Sequence, residues 1–203
     1  MVHNDVKGTG QLKATGIILA GGKSSRMGRD KSLLDYNNEP LIKQVVKELQ
    51  QVTDELIIVS NQNAKYDFPG IREISDIYPG MGPLGGIHSG LTFSTFDYVF
   101  VTACDLPFFD GRLARFLLEQ REGFDVVVPQ IGSYLQPLFA VYSKRCLPHA
   151  EFCLKQNIRK VVAVYPLVKV NYVGENLIRS ITNPEKVFFN VNTPKDYAEI
   201  KKK

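Results

Sequence analysis

With 203 residues, 44% of them apolar and 23% charged, and with no repeat, biased tract or Pro/Ser-rich linker, the chain reads as one globular α/β domain. No apolar run approaches the roughly 18–20 residues that a spanning helix needs, and Met1–Ala14 holds no apolar segment of signal-peptide type, so a cytoplasmic protein with no membrane partner is expected. The net charge of +4 is concentrated at Lys201–Lys203 and around Lys23, Arg26, Arg29 and Lys31; without a basic face and interleaved aromatics it excludes a nucleic-acid binder and suits small anionic ligands.

Residues 1–14, with Gly8, Gly10, Asn4 and Asp5 among few apolar residues, read as a flexible extension, leaving 15–203 as the domain. The first strand is expected over Thr15–Ala20. It runs unbroken into Gly21-Gly22 and then into the basic stretch Lys23–Lys31, as a buried strand does when it ends in an anion-binding loop. Leu33–Tyr36 predicts a short extended piece closed by a turn at Asn37-Asn38. Pro40 opens a helix whose Leu41, Ile42, Val45, Val46 and Leu49 share one face.

Glu55–Ser60 and Tyr98–Ala103 are too continuously apolar to alternate, which predicts strands covered on both sides. Ile71–Ser75 is a third strand ending at Asp76, followed by a Gly/Pro-rich loop over 77–86 and a helix from near Leu84 to Phe93. Asp110 caps the next helix, with Leu113, Phe116 and Leu117 at helical spacing. Asp125–Pro129 and Leu138–Tyr142 are further strands. Over Arg159–Leu167 the valines favour a strand. Thr193-Pro194-Lys195-Asp196 carries the N-cap, N1 proline and acidic N3 residue of a terminal helix.

Strands alternating with helices at this spacing imply βαβ units in a doubly wound, mostly parallel sheet with helices on both faces. Such sheets bind ligands beyond the strands' carboxyl ends, where Gly21, Gly22, Asn61, Asp76 and Asp105 fall. The glycine loop matches neither common phosphate motif. Five residues lie between Gly22 and Gly28, Arg29-Asp30 separates Gly28 from Lys31, and no Gly-x-Gly-x-x-Gly occurs. A different cradle is expected: Gly21 and Gly22 bring backbone N–H groups close to a polyphosphate, and Arg26 and Lys31 supply the cations. A Gly-rich turn with a solvated basic face is the alternative. Asp105 ends an apolar strand beside this loop and suits Mg²⁺, which takes one or two carboxylates plus phosphate oxygens; a turn-capping Asp before Leu106-Pro107 is the other reading.

Leu19-Ala20-Gly21-Gly22 followed by Arg26-Met27-Gly28-Arg29-Asp30-Lys31 resembles the signature of the molybdenum cofactor guanylyltransferases, nucleotidyltransferases of doubly wound α/β fold. Gly82-Pro83-Leu84-Gly85-Gly86 is similar to that family's second glycine motif, Gln136-Pro137-Leu138-Phe139 to its acceptor-side strand, and Phe189–Pro194 to its C-terminal motif. The resemblance covers nearly all of 15–200, and it implies a helix where the valines of 159–167 favour a strand.

It further implies transfer of GMP from MgGTP to the molybdopterin-bound molybdenum cofactor. Leu19, Ala20, Gly21, Gly22 and Lys31 would contact the nucleotide, Asn61 and Asp76 the guanine or ribose, and Asp105 the metal. Lys31, Arg26 and Asp105 would carry catalysis. A carboxylate at guanine accepts from N1–H and the 2-amino group, yet Asp76 reads equally as a cap or turn residue. Gln136 stands where some members carry His, and can still donate and accept. Arg159 and Lys160 fall in the acceptor half, or on a solvated helix face. Asn190 and Asn192 share one face of an extended segment, toward the acceptor or the metal's water shell, or simply close a turn.

Partners implied are GTP, the molybdopterin cofactor, and cofactor-biosynthesis or recipient molybdoenzymes. A cytidylyltransferase, a sugar-phosphate-type nucleotidyltransferase and a non-catalytic GTP- or cofactor-binding protein remain as alternatives. Cys104, Cys146 and Cys153 are spaced for neither zinc nor a redox pair, and His3, His88 and His149 read as surface or structural residues.

Overall fold

Ile17 and Ile18 are both fully buried, but on opposite sides of the same strand, and the whole architecture follows from that requirement. The computed structural model describes residues 13–21, 33–61 and 66–201. In chain order the elements are β1 (Thr15–Leu19), β2 (Asp35–Tyr36), β3 (Glu39–Pro40), α1 (Leu41–Leu49), β4 (Glu55–Val59), β5 (Arg72–Ile74), α2 (Gly82–Phe93), β6 (Tyr98–Ala103) and α3 (Gly111–Glu119). They continue with β7 (Val126–Ile131), β8 (Tyr134–Leu135), β9 (Phe139–Ser143), α4 (Leu147–Lys155), β10 (Val170–Gly174), α5 (Glu175–Arg179), α6 (Pro184–Val187) and α7 (Pro194–Ile200).

One sheet runs in the order β10-β7-β9-β6-β1-β4-β5, with β8 paired to β7. Strands β10, β7, β6, β1, β4 and β5 point the same way, while β8 and β9 run against them. Ile18, Ile58 and Phe100 face the layer holding α1 and α3; Ile17, Ile57 and Val101 face α2, α4 and the turn after it. Covered on both sides, the central strands dispense with alternation, as their apolar runs predict.

Local chemistry sets most boundaries. Asn37 and Asn38 adopt positive φ (55° and 63°), which asparagine tolerates and a two-residue hairpin turn between β2 and β3 requires. Pro40 ends β3 and caps α1 rather than occupying its first turn. Asp110 caps α3 by accepting from the Arg112 N–H at 3.0 Å. Thr193 and Asp196 form a reciprocal capping box on α7.

Residues 161–167 form a 3-10 helix, siding with the family resemblance against the valines' strand propensity. Val161, Val164 and Tyr165 are buried there against the α2/α4 layer, so packing outweighs propensity.

Helix α2 lies unusually close to β1. A Cβ on Gly90 would come within 2.8 Å of Ile17 Cγ2, and Ile17 is fully buried and has nowhere to go. Gly90→Ala gains about 1 kcal/mol of helix propensity but must overpack the core by about 2–3 kcal/mol, so urea denaturation is expected to show a net loss of about 1–2 kcal/mol.

Candidate functional site

Parallel register brings separate loops to one edge. Leu19 pairs with Val59 on one side and Ala103 on the other, and Val59 pairs with Ile74. The ladder extends one step further: Ala20 N–H donates to Val59 O, Ser60 N–H to Ile74 O, and Cys104 N–H to Leu19 O. Gly21, Asn61, Asp76 and Asp105 therefore follow consecutive strand ends along the sheet's carboxyl edge.

The residues expected on the nucleotide side touch. Asn61 Nδ2 reaches Asp76 Oδ2 at 3.5 Å, and a Cβ on Gly21 would sit 3.4 Å from Asn61 Nδ2, so glycine lets the chain pass against that amide. Asp76 Oδ1 accepts from Ser89 Oγ at 3.4 Å. Gly85 and Gly86 face the same carboxylate, and a Cβ on Gly86 would stand 2.9 Å from Leu19 Cδ2. Burial pushes the Asp76 carboxyl above the ordinary range, against the opposing pull of the Asn61 and Ser89 hydrogen bonds. Leu19 and Ala20 are buried at the mouth, and the Ala20 carbonyl lies 3.5 Å from the Tyr66 hydroxyl.

Ser89 was not legible as a site residue beforehand. A usable signal does exist in its spacing, since residues 85, 86 and 89 share one helix face with the second glycine motif.

Gly22, Arg26 and Lys31 lie outside the described residues, but the chain on either side is anchored. Gly21 abuts Asn61, and after that stretch Leu34 packs with Leu41, Val191 and Ile200. Val191 N–H in turn donates to the Asp105 carbonyl at 3.0 Å, tying the C-terminal motif to the strand end that carries Asp105. The Asp105 side chain is half-buried, with Oδ1 shielded from solvent.

Around buried Val191, Asn190 and Asn192 are both exposed. Asn190 Nδ2 donates to Phe188 O, and the Asn192 N–H donates to Asp196 Oδ2. Turn closure thus engages the first residue's side chain and the second residue's backbone.

The reversed direction of β9 decides where Gln136 goes. Phe139 pairs with Thr102, so the Gln136–Leu138 turn that precedes β9 emerges at the carboxyl edge beside Cys104-Asp105. Gln136 is half-buried; its N–H donates to Pro129 O and its carbonyl accepts from Phe139 N–H, both at 3.0 Å. Strand β9 ends at the opposite edge, where Ser143 pairs with Tyr98, and α4 climbs back along α2. Arg159 and Lys160 follow α4 in an exposed link rather than on a helix face, with Arg159 bonded to Asn157 Oδ1.

His88 is structural: its ring is buried edge-on against Tyr78, and burial lowers its pKa, leaving it neutral. No disulfide joins the three cysteines.

Among the described residues no cluster of three or more His, Cys, Asp or Glu side chains is arranged to hold a metal. A lone Asp105 at the sheet's carboxyl edge fits a divalent cation that takes most of its oxygens from substrate and water. Among the described residues, no helix is long and apolar enough to cross a membrane.

A family model for the MobA-like NTP transferase domain matches residues 16–170. A protein of Pelotomaculum thermopropionicum named probable molybdenum cofactor guanylyltransferase is 46% identical over 190 residues, covering 94% of this chain and 93% of that one. The molybdenum cofactor guanylyltransferase of Vibrio cholerae is 36% identical over 187 residues, covering 91% and 89%. Among solved structures, molybdopterin-guanine dinucleotide biosynthesis protein A from Archaeoglobus fulgidus superposes with a TM-score of 0.80 at 25% identity, covering 93% and 97%.

Proposed function

The chain belongs to the MobA-like NTP transferase family, and from that premise we propose that it transfers GMP from MgGTP to the terminal phosphate of the molybdopterin-bound molybdenum cofactor. The bond formed joins an acceptor phosphate oxygen to the α-phosphorus, and the bond broken joins the α-phosphorus to the bridging oxygen of the leaving pyrophosphate. The acceptor oxygen is already anionic at neutral pH, so no strong general base is needed and catalysis reduces to positioning and charge neutralisation.

The observation that carries this reading is the order of groups along one sheet edge. Asp76, Asn61 and Gly21 stand on one side of Asp105, and the Gln136 turn stands on the other. A nucleotide bound at the first group would point its phosphates toward Asp105 and the acceptor turn.

In this scheme Asp76 accepts from guanine N1–H and the 2-amino group, with Asn61 beside it. The Gly21 and Gly22 amides, Arg26 and Lys31 hold the triphosphate, and Lys31 offsets charge developing at the α-phosphorus. Asp105 anchors Mg²⁺, which when bound neutralises phosphate charge. Gln136, Arg159, Lys160, Asn190 and Asn192 hold the acceptor. Residues 15–203 act as one domain, in the cytoplasm where GTP and reduced thiols are found, and the product passes to molybdoenzymes.

The test incubates the protein with radiolabelled GTP, Mg²⁺ and molybdenum-loaded cofactor. Guanine dinucleotide and pyrophosphate are expected, abolished by chelation and restored by Mg²⁺. Transfer from CTP but not GTP would make the chain a cytidylyltransferase. GTP binding without pyrophosphate release, acceptor present, would make it a non-catalytic partner.

A further inference from the structure

Two tyrosine hydroxyls lie buried beneath the acceptor turn. Tyr142 on β9 is 2% exposed and Tyr165 on the 3-10 helix is 5% exposed, both packed among the apolar side chains of the α2/α4 layer. Tyr142 Oη donates to the Pro137 carbonyl at 2.7 Å and stands 3.0 Å from Tyr165 Oη. A phenol has one proton, so with Tyr142's given to Pro137 the second bond runs from Tyr165 into Tyr142. Burial raises the pKa of both phenols, keeping them protonated at working pH.

This relay meets the backbone at one informative place. The N–H and carbonyl of Gln136 are already held by Pro129 and Phe139, and Pro137 O is the next backbone acceptor along the turn. Tyr165 belongs to the 3-10 helix that begins at Val161, directly after Arg159 and Lys160. Two stretches distant in sequence, each assigned to the acceptor, are thus joined under the surface by hydroxyl hydrogen bonds. Core packing alone would be served as well by phenylalanine, without two polar atoms to satisfy.

We propose that Tyr142 and Tyr165 are positioning residues for the acceptor: their hydroxyls hold the Gln136–Leu138 turn and the Arg159/Lys160 link in one fixed relation. The inference rests on the transferase reading above and deepens it on the acceptor side. Gly21, Asn61 and Asp76 follow β1, β4 and β5, across β6 from β9, and bond neither tyrosine, so nucleotide binding is independent of the pair.

The test is initial-rate kinetics with GTP and molybdenum-loaded cofactor varied separately, on the full chain, for wild type, Tyr142→Phe, Tyr165→Phe, Gln136→Ala and Tyr142→Phe/Gln136→Ala. Tyr142→Phe is expected to raise the acceptor KM about threefold to tenfold, with the GTP KM unchanged. Tyr165→Phe, which leaves the Pro137 bond in place, raises the same constant less. The double variant is expected to fall short of the product of the two single effects, because Tyr142 acts in part through the turn that carries Gln136.

An unchanged acceptor KM in Tyr142→Phe, an equal rise in both KM values, or multiplicative effects in the double variant would overturn the proposal. Should Tyr142→Phe fail to fold in urea titrations, Tyr165→Phe decides: a rise confined to the acceptor KM supports the relay, and no rise overturns it. A wild-type protein that binds GTP but transfers nothing overturns the transferase reading and the relay together. Wild-type transfer with unaltered variants overturns the relay alone.

Discussion

Asp105→Ala is expected to lower GMP transfer on the order of 10²–10³-fold while leaving the protein folded. The asymmetry comes from how the residue is built in. Its backbone carbonyl, which anchors Val191, is untouched by the substitution, so the C-terminal motif stays docked. Its side chain is only half-buried at a strand end, so its removal opens no sealed core cavity. What is lost is the carboxylate proposed to hold the metal that neutralises phosphate charge. Stopped-time pyrophosphate release read beside a melting curve checks the two halves together. A melting temperature that falls in step with activity would make Asp105 a structural cap and remove it from the chemistry.

Asp76→Asn is expected to weaken GTP binding about tenfold to a hundredfold without destabilising the protein. Burial raises this carboxyl's pKa in the folded state above its unfolded value. As pH rises from the unfolded carboxyl's pKa through the raised folded one, the unfolded chain releases its proton first, and stability falls. Above the folded pKa the cost is complete and constant, so an ionised Asp76 works against the fold. An amide removes that cost and keeps the hydrogen-bonding shape, but it can no longer accept from both guanine donors. Titration calorimetry with GTP and urea denaturation at neutral and mildly acidic pH measure the two effects. The advantage in stability of Asp76→Asn over wild type should shrink as pH falls. Lost stability with intact GTP affinity would make Asp76 a turn residue after all.

Most of the carboxyl-edge positions proposed for the nucleotide were legible from the chain alone, because all but Asp76 follow a strand that announces itself. The unbroken apolar runs before Gly21, Asn61 and Asp105 mark strands covered on both faces, and parallel sheets gather such ends on one edge. The caps on α3 and α7 were equally local, each written within four residues.

The acceptor half was harder. The strand over Leu138–Tyr142 was expected, but its direction was not, and direction alone puts Gln136 beside Asp105. The strand β10 and helices α4, α5 and α6 carry weak patterns of their own. The 3-10 helix at 161–167 reads as a strand until the α2/α4 layer claims its valines and Tyr165.

By itself, then, the sequence determined the central strands, where they stop, and which charged and glycine residues wait at their carboxyl ends, since periodicity, caps and turn chemistry act over a few residues. Only the tertiary structure decided that β9 runs backwards between β7 and β6, that Ser89 steadies Asp76, and that Tyr165 meets Tyr142 under the Gln136 turn. The physical reason is range. Each of those arrangements depends on a partner brought near by packing, and a pattern within one segment does not encode which distant surface will cover it.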